Sequence, residues 1–347
     1  PVVAQPADAV PPGMTAARYP APPDDVVPVV CVAHGPAAFP DGQSFWEQVE
    51  RVHGLPVVGA TCFETEGLPA SWVARCNVAR EVWVPSGFNL RTFADAGVDP
   101  GLLAVVPYPV DTRRLPPAPR ERDADAPFTF LSIFEWTWRK GWDVLLQAWA
   151  EEFAADEPVR LVVLTYRGPG ALGEGDVVDQ ALGHLRGLGF DPDRIADIEL
   201  VLEPVAHDDM PDLYRSADAF VLPSRGEGAG MPVLEAAACG VPVIATDWGG
   251  YEELMDSATA FPVAVERMVE ASPKLLADNG LYEGLTLAEP SVSSLRAQMR
   301  AACGDPAAAT LRGLAGRALV EERYSLEAAA SALGARIAAL LDEGASR

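Results

Sequence analysis

The chain reads as an α/β protein made of two doubly wound, Rossmann-like domains facing a cleft. Three observations predict it. Continuous apolar runs alternate with helical patterns along most of the 347 residues, which indicates βα units and parallel sheets buried on both faces. The alternation comes in two sets, parted by a stretch rich in proline and charge at 113–127. Hydrophobic residues make up 49% of the chain, enough for two domains with ordinary cores.

In the first set, apolar runs end at His34, at Phe63, around Val84 and at Asp111, with helical patterns near Phe45–Val52, Ser71–Asn77 and Asn89–Ala96. The second set predicts strands at Phe128–Phe134, Arg160–Thr165, Ile198–Leu202, Ala219–Leu222, Val241–Ala245 and Thr259–Val263. Helices are predicted between them at Trp142–Phe153, Val177–Leu188, Met210–Ser216, Pro232–Cys239 and Tyr251–Met255, and then in a tail at Ser291–Cys303, Pro306–Glu322 and Leu326–Glu343. The boundaries suggested are 1–118 for the first domain, 119–323 for the second and 324–347 for a terminal helix. Residues 1 to about 26, rich in proline and alanine, read as an extended arm.

Composition narrows the function. A net charge of −24 argues against nucleic acid or an anionic membrane as partner, since both call for clustered cations. No apolar run approaches the roughly 20 residues that cross a bilayer. The start, PVVAQPADAVPPGM, has neither a basic n-region nor an apolar h-region, so no signal peptide is expected. It also lacks an initiator Met, so the chain is expected to be processed or cut from something longer. Five cysteines without a CxxC pair predict reduced thiols in the cytoplasm or another reducing compartment, and no zinc site. Only two lysines occur, Lys140 and Lys274. Coding bias accounts for the scarcity, and a lysine inside a motif gains interest from it.

The chemistry concentrates in PSRGEGAGMPVLEAAACGVPVIATDWGG, Pro223–Gly250. Its pattern is strand, glycine loop, helix, strand, with Pro232 suited to the first helical position and Gly240 to the C-terminal cap. Glu227 and Glu235, with seven residues between them, then sit on the loop and about one turn into the helix. Unpaired amides at the helix start favour phosphate. Two acids beside an anion-binding helix end suit a ligand that carries both hydroxyls and phosphates.

These residues resemble the E-x7-E family of retaining glycosyltransferases with the GT-B fold, the glycogen-synthase-like and sucrose-synthase-like group. LSIFEWTWRKGWDVLLQAW is similar to the strand and helix that open the nucleotide-sugar domain, and ERYSLEAAASAL to a C-terminal helix that crosses back to the first domain. TCFETEGLPASWVARCNVAREVWVPSGFN and VVPYPVDTRRL are similar to first-domain segments. The resemblance implies transfer of a sugar from a nucleoside diphosphate sugar, of UDP or GDP type, to an unknown acceptor on the first domain. No cofactor and no metal are implied. Glu227 would lie by the donor sugar and the reacting carbon, and Glu235 would accept the ribose hydroxyls. Gly228, Ala229, Gly230 and Met231 would offer amides to the sugar or diphosphate, and Lys140, with Arg139, would neutralise the leaving diphosphate. His34 would reach the donor near the reacting bond, and Gly249, Gly250 and Glu253 match a GG-x-x-E turn.

The first clear strand resembles a middle strand of such a domain, so the N-terminal domain is expected to be truncated or completed by a partner chain. Glu135 stands where the family has an arginine. That supports a rival reading, a weak or inactive donor-binding scaffold subunit. Arg225 is read as a phosphate contact or a solvated loop charge; Trp136, Trp138 and Trp142 as stacking platforms or, for at least two, core. His53, His184 and His207 read as surface or loop residues, and the pairs Asp123/Asp125 and Asp191/Asp193 as turns rather than metal ligands.

Overall fold

A computed structural model describes residues 31–34, 57–117, 126–167, 177–278 and 280–345. The predicted arm, the helix near Phe45–Val52, His53 and the Asp123/Asp125 pair lie outside them. The chain separates into two compact units.

The smaller unit holds a parallel four-stranded sheet in chain order: β1 (Cys31–His34), β2 (Val57–Ala60), β3 (Glu81–Val84) and β4 (Leu103–Val105). Helix α1 (Ala70–Cys76) precedes β3, and α2 (Gly87–Asp95) follows it. Helix α2 starts at Ser86, whose side chain accepts the Asn89 amide, an N-cap that satisfies a donor the helix itself cannot. From Ala330 onward, the C-terminal helix belongs to this unit. It packs Leu340 against Val58, Trp83 and Ala104 and pairs Arg336 with the buried Glu81.

The larger unit is built on six parallel strands: β5 (Phe128–Glu135), β6 (Val159–Tyr166), β7 (Asp197–Val201), β8 (Ala219–Leu222), β9 (Val243–Thr246) and β10 (Phe261–Val263). Their spatial order is β10-β9-β8-β5-β6-β7. The chain thus runs outward from β5 in one direction, returns, and runs outward from β8 in the other. Strands β5 and β8 bury nearly every residue, as strands covered by helices on both faces must. The covering helices include α3 (Trp142–Glu152), α4 (Val177–Gly187), α5 (Met210–Ser216) and α6 (Met231–Ala238). Phe130, Trp149 and Phe153 interlock at the centre with ring centroids 4.6–5.8 Å apart. The Trp149 indole N–H donates to the Ala196 carbonyl at 3.0 Å, so this buried donor is satisfied.

Three elements depart from the sequence-based expectation, and hydrogen bonds explain the first two. Strand β9 starts at Val243 because Gly240 and Val241 close α6, their amides bonding to the Ala237 and Ala236 carbonyls; this is the Schellman pattern. Strand β10 starts at Phe261 because Thr259 and Ala260 fold back on the Asp256 carbonyl. The helix predicted at Tyr251–Met255 is one 3₁₀ turn, Glu252–Leu254.

A fourth element has no counterpart in the pattern of the sequence. Strands β11 (Val265–Glu270) and β12 (Thr286–Pro290) form an antiparallel hairpin that carries helix α7 (Pro273–Asp278). Helices α8 (Val292–Gly304), α9 (Pro306–Arg323) and α10 (Leu326–Ala345) complete the chain's described elements.

The hairpin is fastened by Arg225, which is 2% exposed. Its guanidinium bonds to both carboxylate oxygens of Asp143 at 2.8 Å, to those of Glu289 on β12 at 2.7 and 2.9 Å, and to the Trp138 carbonyl at 2.6 Å. All five of its N–H donors are therefore used, and the Trp138 ring covers it at 4.1 Å. Arg225 is neither a phosphate contact nor a solvated charge: it joins the β8 loop, the start of α3 and the hairpin. Of the tryptophans, Trp136 is buried and stacks on the half-buried Trp142 at 4.6 Å, and Trp138 is half-buried. His184 is no loop residue either. It sits on α4, edge-on to Trp142 and bonded to the Asp143 carbonyl at 3.0 Å. Asp191 caps a 3₁₀ turn by accepting the Asp193 amide.

Cys76 and Cys239 form no disulfide, and burial pushes their thiols up to about 12. Arg225→Met leaves the half-buried Asp143 and Glu289 as unmatched charges and is expected to destabilise the larger unit by about 3 kcal/mol. Urea unfolding followed by tryptophan fluorescence measures the loss.

Candidate functional site

The strand order reverses between β5 and β8. In an open α/β sheet, the carboxyl ends of the strands at such a switch point form the natural crevice. The segments that leave these two strands therefore define the site.

After β5 comes a 3₁₀ turn, Trp138–Lys140, ended by Gly141 in the left-handed region at φ 72°. A Cβ at Gly141 would lie 1.9 Å from the Pro223 carbonyl oxygen. Glycine thus lets the turn press against the loop that leaves β8. Across this contact, Lys140 Nζ reaches Glu227 Oε1 at 2.5 Å, with Arg139 3.7 Å from the same oxygen. Arg139 also donates to the Gly226 carbonyl at 2.6 Å. Glu227 is 5% exposed.

The β8 loop then enters α6 through Gly230, whose φ is 71°. A Cβ there would strike the Tyr251 ring at 2.1 Å, so only glycine admits the tyrosine beneath the helix start. The Gly250 amide donates to the Glu227 carbonyl at 2.8 Å, which ties the second glycine turn to the first. Among the described residues, the amides of Gly228, Ala229, Gly230 and Met231 meet no backbone acceptor. They form the positive end of α6.

The two glutamates are shifted in opposite directions. Burial alone would push Glu227 up, but the charges of Lys140 and Arg139, with hydrogen bonds from Lys140 and Ser224, outweigh it and hold the carboxyl below its usual value. Glu235 is pushed up by burial, partly offset by the Tyr214 hydroxyl, which donates to it at 2.8 Å, and by the charge of His207. Burial opposes the charge of Arg139, yet Glu64, Tyr282, Glu227 and Glu135 together hold the guanidinium charged. Around Tyr251 the field is negative: burial and the charges of Glu227 and Asp247 push its phenol far up.

Glu227, Lys140, Arg139, the Gly228–Met231 run, Gly249 and Gly250 therefore come together at the switch point. Glu235 lies further along α6 beside Tyr214. Glu253 is ion-paired with Arg323 at 2.5 Å. His34 closes β1 in the smaller unit. Two residues that sequence reasoning missed join the group. Glu64 lies 3.6 Å from Arg139 and accepts the Tyr282 hydroxyl at 3.2 Å. The position of Glu64 directly after a strand-like apolar run was a usable signal; Tyr282, within the unforeseen hairpin segment, gave none. Among the described residues, no three of His, Cys, Asp or Glu gather as metal ligands would.

Residues 127–278 match the model of the family described as glycosyl transferases group 1. Over 199 residues the chain is 34% identical to a D-inositol 3-phosphate glycosyltransferase of Actinosynnema mirum, covering 54% of this chain and 46% of that protein. Over 263 residues it is 32% identical to one of Geodermatophilus obscurus, covering 70% and 56%. The chain spans about half the length of these curated relatives. The structure of HepE from Anabaena in complex with UDP and glucose matches with a TM-score of 0.62 at 16% identity, covering 83% of this chain and 73% of that one, a likeness of fold. Residues 127–278, which carry the β5–β8 switch point and both glutamates, are the part that is similar to the glycosyl transferases group 1 family, and the chain has an α/β, GT-B-type fold.

Proposed function

We propose that the larger unit binds a nucleoside diphosphate sugar, of UDP or GDP type, and that the protein transfers the sugar to a separate acceptor with retention and without a metal. One observation carries the reading: the buried contact of Lys140 with Glu227 at the switch point, beside the unpaired amides that open α6. The relatives from Actinosynnema and Geodermatophilus are glycosyltransferases, and HepE was solved with UDP and glucose.

Glycosyl transfer breaks the bond between the anomeric carbon and the diphosphate. Negative charge grows on the departing phosphate and positive charge on the sugar. Lys140, Arg139 and the α6 amides stabilise the first, because fixed dipoles and cations in a water-poor site need little reorganisation as the charge develops. These cations serve where other sites use a metal. Glu227, held ionised, faces the second. Glu235 accepts ribose hydroxyls beside Tyr214. The Glu227–Glu235 spacing supports retention through the resemblance to retaining enzymes. Glu135 at the end of β5 adds negative potential at Arg139, and favours a second reading in which the chain binds donor without turning it over.

Calorimetry with UDP, GDP and their sugars, followed by assays of nucleotide release, separates the readings. The enzyme releases nucleotide, and Lys140→Ala or Glu227→Ala lowers the rate about 10²–10³-fold; binding without release identifies the scaffold. Chelation with EDTA is expected to leave the rate unchanged, and NMR of the first-formed product should show the donor's anomeric configuration.

The raised pKa of Glu235 gives a test in pH. A carboxyl whose folded pKa is raised favours folding below its unfolded value of 4.5 and opposes folding as pH climbs past it. Glu235→Gln is therefore expected to raise the unfolding temperature at pH 7, with the gain vanishing below about pH 4.5, while nucleoside diphosphate affinity falls about tenfold as charge-assisted hydrogen bonds are lost. Glu227 has the opposite sign: its paired state stabilises above the ordinary value and is lost as pH falls through its depressed one.

A further inference from the structure

Glu64 and Tyr282 take no part in holding the diphosphate or the ribose, yet they adjoin residues that do. Both belong to the larger unit. Tyr282 is 6% exposed and comes from the segment between β11 and β12. Glu64 lies shortly after the end of β2 and is fastened to the same hairpin, since the Glu66 amide donates to the Thr286 carbonyl at 3.1 Å and the Thr286 hydroxyl to the Glu66 carboxylate at 2.9 Å. Two segments distant in sequence thus bring a carboxylate and a phenol together at 3.2 Å, with Arg139 3.6 Å from the carboxylate. Arg139 in turn touches Glu227.

The composition of this group selects its ligand. A carboxylate at the site's edge repels phosphate, so the group does not extend the diphosphate site. A carboxylate offers about four acceptor positions, of which Glu64 gives one to Tyr282. Among the described residues, the Arg139 side chain spends a single hydrogen bond, on the Gly226 carbonyl, out of about five donors. Acceptors and donors a few ångströms apart match adjacent hydroxyls on an uncharged ring, each of which both gives and takes a hydrogen bond.

We propose that Glu64 and Tyr282, with Arg139, read the hydroxyl pattern of the transferred sugar and so determine which sugar the donor carries. This rests on the donor-binding reading of the larger unit and adds specificity to it.

The test is binding, so that it holds whether or not the protein turns over. Calorimetric Kd values are measured for UDP, UDP-glucose and its C4 epimer UDP-galactose, and for GDP, GDP-mannose and its C2 epimer GDP-glucose, on the parent chain, Glu64→Gln and Tyr282→Phe. Both substitutions keep shape and volume, and the two are independent routes to the same readout. The parent is expected to prefer one epimer of a pair. Each variant should shrink that preference about tenfold, the size expected when a hydrogen bond to a charged or paired group is lost. An epimer preference that survives in both variants, or a parent that binds epimers equally, overturns the assignment while leaving the donor site standing. A parent that binds neither UDP nor GDP overturns the donor site and this assignment with it.

Discussion

A guanidinium shut away from water must find counter-charges, and in this fold that requirement organises everything around the switch point. Arg225 has an acceptor for every N–H, drawn from the start of α3, from the 3₁₀ turn after β5 and from β12. Buried ion networks of this kind add little net stability over an apolar core, but they strongly penalise any arrangement that leaves a member unmatched. The consequence is geometric. The loop bearing Glu227, the turn bearing Lys140 and the hairpin bearing Tyr282 share one fixed point, so the side chains that meet at the site are placed by a charge they do not touch.

The site built on that support divides labour between two acids of one type. Glu227 is more deeply buried, yet it stays ionised because two cations face it. Glu235 has only a phenol and a distant histidine, so burial dominates. Environment rather than residue identity sets the two shifts, as in enzymes that use carboxylates in pairs. In the function proposed, the buried carboxylate opposite cations meets developing charge, and the half-buried carboxyl held by a hydroxyl holds a polyol.

The larger sheet was legible because its strands are continuous apolar runs: AFVL and VIAT bury every residue, and no helical period competes with them. The Schellman close of α6 was legible from Gly240 alone. The hairpin was not. VERMVE buries none of its residues fully, is made largely of good helix formers, and shifts register at a bulge between Val265 and Arg267; its strand state comes from pairing with TLAEP, which a local reading cannot see. Arg225 was misread for a related reason. Its partners Asp143 and Glu289 lie 82 and 64 positions away, and a lone arginine in a glycine loop carries no mark of burial. Glu64 and Tyr282, 218 positions apart, were hidden in the same way.

The scarcity of lysine acquires a practical meaning once Lys140 is seen in place. Its side chain is 12% exposed, against Glu227, and the only other lysine in the chain is Lys274. Amine-directed acylating reagents therefore find almost nothing to modify besides the α-amino group, Lys274 and the heart of the site. Covalent labelling, ordinarily too indiscriminate to interpret, becomes here a near-specific footprint of whatever occupies the space beside Glu227.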